Sequence, residues 1–130
     1  MGQQQLLLII LGVIVVGIAV AVGITMFTDN ALNANRDAVT NDLVNLAARA
    51  QQYYRRPTAL GGGGNSFSGL TLANLTNRPT NGNGTYSLPT VAAHGVTIRG
   101  VGTESISAGQ YVTMEIFVSD SKADSVGLVQ

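Results

Sequence analysis

From Leu6 to Met26 the chain carries no charge, no proline and no polar side chain before Thr25. These 21 residues span roughly 31 Å as a helix at about 1.5 Å per residue, close to the ~30 Å hydrocarbon thickness of a bilayer. The run does not end in a turn. From Ala31 the pattern becomes two-faced: Leu32, Val39, Leu43, Leu46, Ala50 and Tyr53 recur at steps of seven, four, three, four and three, which places them on one helical stripe. Asn35, Arg36, Asp42, Arg49 and Gln52 fall largely off that stripe, and Asp42 and Arg49 are too far apart to pair with each other. Arg55 and Arg56 suit the negative end of a helix dipole. Pro57 then ends the helix by disfavouring helical geometry at Arg56. The pattern predicts one helix to about Tyr54, apolar in its first half and amphipathic in its second.

A narrow apolar stripe must lie on something, and the remaining chain is the available surface. Gly61 to Gly64 reads as a flexible connector, with no Lys, Ser or Thr in phosphate-loop register. Beyond it come strand-like segments. Phe67 to Leu75 alternates in part, and the Asn81-Gly82-Asn83-Gly84 turn leads into Thr85 to Leu88. Val96 to Val101 and Tyr111 to Val118 alternate most clearly, with Val112, Met114, Ile116 and Val118 on one face. Val126 to Val129 reads as a short edge strand. The expected fold is α+β: a long N-terminal helix whose stripe packs on a small antiparallel sheet of three or four strands. Residues 1–30 form an apolar assembly or transmembrane helix, 31–56 the amphipathic part that packs on the head, and 57–130 the β-rich head.

Composition removes several functions. The 130 residues leave room for one soluble domain and one stem. Seven basic residues balance seven acidic ones, so no nucleic-acid surface is expected. The absence of cysteine excludes disulfides, thiolate metal sites and thiol nucleophiles. His94, the single histidine, has no acid or second ligand beside it in the sequence. Asp120 to Asp124 lacks the glycine and terminal glutamate of a calcium loop and has Lys122 between its acids, so it reads as a solvated turn. Tyr53-Tyr54-Arg55-Arg56 reads as packing at the junction of stem and head. No catalytic residue, metal or cofactor is expected, and the chain is not read as an enzyme. Asn74-Leu75-Thr76 and Asn83-Gly84-Thr85 fit the glycosylation sequon, which makes Asn74 and Asn83 the candidate acceptors.

A cleaved secretory signal fits poorly, because the apolar run is long and no Lys or Arg precedes it. Myristoylation at Gly2 is set aside, since Leu6 stands where that motif needs Ser or Thr. Gly12, Gly17 and Gly23 interrupt the run, and small residues in an apolar helix let neighbouring helices approach closely.

The short polar start Met1-Gly2-Gln3-Gln4-Gln5, the apolar run to Ile24 and the amphipathic extension resemble the type IV pilin-like proteins. The resemblance implies a dedicated prepilin peptidase, with Met1 the candidate processed and methylated N-terminus. It also implies residence in the cytoplasmic membrane, then assembly by dedicated machinery into an extracellular filament cored by the apolar helices. Many members have Glu at the fifth mature position. Here Gln5 occupies it if Met1 is the start, and Leu7 if cleavage follows Gly2, so neither supplies a charge for the terminal amine. The cysteine pair of many bacterial members is also missing.

The leading expectation is therefore a structural filament subunit whose partner is itself, through Leu6, Ile10, Gly12, Val16, Gly17, Val20, Gly23 and Ile24. The alternatives are a pseudopilin-like part of a secretion or uptake machine, and a single-span membrane-anchored binding module. The last normally has Lys or Arg flanking the span on the cytoplasmic side, and none precedes Leu6.

Overall fold

The computed structural model describes residues 2–124 and 126–129; Met1, the candidate processed N-terminus, lies outside the described residues. One helix, α1, runs without interruption over Gly2–Arg55, a 54-residue element about 80 Å long. A single 3-10 turn (Thr58–Leu60) and a one-turn helix, α2 (Leu72–Leu75), follow it. Four strands then form one antiparallel sheet in chain order: β1 (Gly84–Ala92), β2 (Gly95–Ser107), β3 (Gln110–Ser119) and β4 (Gly127–Leu128). The α+β architecture expected from the pattern is the one observed.

The core lies between the second half of α1 and one face of β2 and β3. Val39, Leu43, Leu46 and Ala50 are buried, as the stripe requires, with Ala47 beside them. Leu32 and Tyr53, at the two ends of the stripe, are half-buried against the same cluster. The sheet answers with Val96 and Ile98 from β2 and with Val112, Met114, Ile116 and Val118 from β3. On the opposite face, Arg99 and Glu115 are register partners and form an ion pair.

Two glycines set how close helix and sheet come. A Cβ at Gly100 would stand 2.8 Å from Val39 Cγ1, and one at Gly102 would stand 2.1 Å from Asn35 Oδ1. Both positions face α1 from β2, where a side chain would collide with the Val39 and Asn35 side chains that the helix sends into the head. The free edges of the sheet are blunted. β1 changes register between Ser87 and Thr90, around Pro89, and β4 is only two residues long.

Three local expectations are corrected. Phe67 to Leu75 is not a strand. Gly69 sits at φ +81°, and Thr71 and Asn74 form a reciprocal capping box that starts α2. The apolar residues Phe67, Leu70 and Leu75 reach the core from this loop and turn rather than by alternation. Gly61 to Gly64 is not a flexible connector. Gly63 and Gly64 donate to the carbonyls of Tyr53 and Arg56 at 2.8 and 2.9 Å, and Asn65 donates to Tyr54 at 2.7 Å. The glycine run folds back over the helix C-terminus and satisfies its last carbonyls. Tyr53 and Tyr54 accordingly pack at the end of the head remote from the stem, where the Tyr54 and Phe67 rings lie 4.8 Å apart.

Substituting Gly102→Val should cost about 1–3 kcal/mol by overpacking. Urea denaturation of the full chain in detergent checks this, and an unchanged midpoint would mean that the close approach is not a constraint.

Candidate functional site

The stem differs from every other part of the molecule in what it touches. None of its most apolar 18-residue window is buried. Sixteen large apolar residues between Leu6 and Phe27 are exposed, including the expected assembly residues Leu6, Ile10, Val16, Val20 and Ile24. Nothing lies within 4 Å of a Cβ placed at Gly12, Gly17 or Gly23. These glycines therefore serve no contact inside the chain.

The stem also ends in a chemically consistent way. Thr25 and Thr28 are its first polar side chains, and their hydroxyls donate to the carbonyls of Ala21 and Ile24, each at 3.0 Å. Hydroxyls satisfied within their own helix can enter apolar surroundings without an unpaired donor. Asp29 is the first charge. Burying the stem side chains is worth roughly 1.5–3 kcal/mol for each large residue, which sums to tens of kcal/mol. A cluster of this size left in water is not a resting state.

The head is fastened to α1 by a polar seam that the apolar stripe did not reveal. Asn35, assigned off the stripe, is buried. Its Nδ2 donates to the Asn83 carbonyl at 2.9 Å and to Thr103 Oγ1 at 3.4 Å, and its Oδ1 accepts from the Glu104 amide at 3.3 Å. One turn pair further on, Asp42 Oδ2 accepts from the Tyr86 hydroxyl at 2.5 Å and from Asn81 and Asn83 Nδ2, each at 3.0 Å. Arg49 Nη1 then donates to the Leu75 carbonyl at 2.7 Å. Asn35, Asp42 and Arg49 are seven residues apart in turn, so one side of the helix presents a hydrogen-bonding group about every 10 Å. Asn35 also falls three residues after Leu32 and four before Val39, a spacing that could have flagged it.

Burial raises the Asp42 pKa, but the hydrogen bonds from Tyr86, Asn83 and Asn81 together bring it below the usual carboxylate value. The same contact, with burial as its larger cause, pushes the Tyr86 hydroxyl well above its ordinary range. Asp42 therefore holds the Asn81–Tyr86 segment as a carboxylate.

The other sequence-selected residues are scattered. His94 is exposed in the turn between β1 and β2. Of the two sequon residues, Asn74 is exposed at α2 with its Oδ1 held by Thr71, while Asn83 is half-buried with its Nδ2 on Asp42. Lys122 and Asp124 pair at 3.6 Å across an exposed loop.

A long apolar N-terminal helix packed on an antiparallel sheet is the typical shape of a pilin. No family model, no curated protein and no solved structure matches the chain.

Because the folded-state pKa of Asp42 lies below its unfolded value, its contribution is complete above about pH 4. It should fade as pH falls through the lowered value. In denaturation midpoints measured from pH 6 to pH 2.5, Asp42→Asn should flatten the acid side of the curve relative to wild type. Parallel curves would show that the Asp42 seam carries no pH-dependent stability.

Proposed function

We propose that this chain is a structural subunit of a pilus-like filament, held in the cytoplasmic membrane by its stem before it polymerises on the cell surface. One observation carries the reading: a fully exposed apolar stem continues as one unbroken helix into the spine of a folded head. Such a molecule has two good environments, a bilayer and a bundle of its own copies. A bundle in which the contact is head-to-tail and does not close into a ring is an open helical polymer. The stem length of roughly 31 Å suits the first environment, and the unoccupied glycine positions suit the second. Prepilin peptidase and the assembly machinery are the partners this life cycle requires.

Gly17→Leu separates polymer from anchor. Nothing in the monomer opposes the added side chain, so the variant should insert into membranes and fold normally while failing to form fibres. Ile10→Asp should abolish fibres and weaken insertion as well. Electron microscopy of material sheared from cells, with mass spectrometry of the membrane fraction, reads both. Normal fibres from Gly17→Leu would remove helix packing from the proposal. Wild-type protein that stays in the membrane without fibres would favour a single-span anchored module.

A further inference from the structure

The charges of the head are sorted along the helix axis, although the chain as a whole is neutral. Heights along that axis follow from the contacts already described. Asn35 meets Glu104 of β2, Asp42 meets Tyr86, and Tyr54 meets Phe67, whose amide bonds the Ala93 carbonyl beside the β1–β2 turn. The end of the head next to the stem therefore carries Asp29, Asp37 and Glu104 against Arg36 alone. The remote end carries Arg49, Arg55 and Arg56, while Arg78 lines a groove that runs from Asp42 and Tyr86 to Arg49 and Gln52. The nearby β3–β4 loop adds two acids and Lys122, so bases remain in excess there.

Asp29, Asp37, Glu104, Arg55 and Arg56 are exposed, and none of their side chains is held in an ion pair among the described residues. Asp37 and Arg55 stand about 27 Å apart along α1, some three times the ~8 Å screening length at physiological salt. The two ends cannot neutralise each other within one molecule. They can do so between copies stacked with the same polarity.

We propose that the basic remote end of one head docks on the acidic stem-side end of the next copy, and that this pairing fixes the polarity of the polymer. The proposal rests on the filament reading above. The occupant of each face is a second copy of this chain, because one neutral molecule carries both complementary surfaces. The contact is heterologous, and it repeats without closing. Antiparallel stacking would instead set bases against bases and acids against acids. The stem burial supplies the bulk of the assembly energy, and the charged ends select among ways of arranging it.

The test is charge reversal with compensation. Exposed ion pairs are individually weak, so Arg55→Glu with Arg56→Glu should lower fibre yield about tenfold by replacing two attractions with two repulsions. Asp37→Lys with Glu104→Lys should do the same. All four changes together should restore yield to within about threefold of wild type. None of these side chains makes a hydrogen bond or ion pair among the described residues, and melting each full-length variant in detergent checks that folding is intact. Normal yield from either double variant, or no recovery in the quadruple one with unchanged melting, would overturn the pairing while leaving the filament reading in place. Wild-type cells without fibres would overturn both.

Discussion

The close approach of α1 to β2 at Gly100 and Gly102 is the constraint on which the rest of the head depends. With no side chain at either position, the helix settles low enough for Val39 to enter the core and for Asn35 to reach β1 and β2 together. That contact fixes the rotation of the helix about its own axis. Because α1 continues unbroken to Gly2, with no proline within it, the same rotation orients every side chain of the stem relative to the head. Stem and head are joined by continuous helix, with no linker between them. A flexible linker at residue 30 would have left the two faces independent.

The two halves of α1 solve opposite problems with the same backbone. Backbone groups in the stem are satisfied within the helix, so it can leave water at no hydrogen-bonding cost. Thr25 and Thr28 extend that condition to side chains, and Asp29 marks where it ends. The second half buries a stripe only a few residues wide and needs polar fastening beside it. A small domain is stable by about 5–15 kcal/mol, whereas burial of the stem is worth several times more. The environment of the stem therefore decides where the molecule resides. Contacts made by the head are weak beside that burial.

The parts of this fold readable from sequence are those with a period. The stripe from Val39 to Ala50 and the alternation of Val112 to Val118 follow from steps of 3.6 and two, and both lie where those steps place them. The misses share a cause in non-local pairing. Asn35 sits in register with the stripe but is polar, and only Gly102, 67 residues later in the chain, makes a pocket for its amide. Asp42 falls off the stripe with no partner near it in the sequence, because Asn81, Asn83 and Tyr86 lie about 40 residues away. Gly61 to Gly64 resembled a linker because glycine-rich composition does not distinguish a free loop from one folded over a helix end. Phe67 to Leu75 carries apolar residues enough for a strand, but Gly69 and the Thr71–Asn74 cap overrode the alternation.

Why the head is fastened by polar groups rather than by a wider apolar face follows from what the stem must do. A molecule whose strongest interaction is non-directional burial risks sticking through any further apolar surface it exposes. The head offers few such surfaces. Its edges are blunted by Pro89 and a two-residue strand, and its exposed apolar side chains include Phe117 and Val91 on the sheet and a short groove lined by Val101, Ile106, Tyr111 and Leu128. The Asn35–Asp42–Arg49 seam lets the helix hold loop and strand by hydrogen bonds, which demand one geometry and leave the outer surface wettable. Greater apolar burial in the head would add stability, but it would also create competitors for the stem. A polar seam under a charged, axially graded surface keeps the apolar attraction in one element. The weaker and more directional contacts remain in the other.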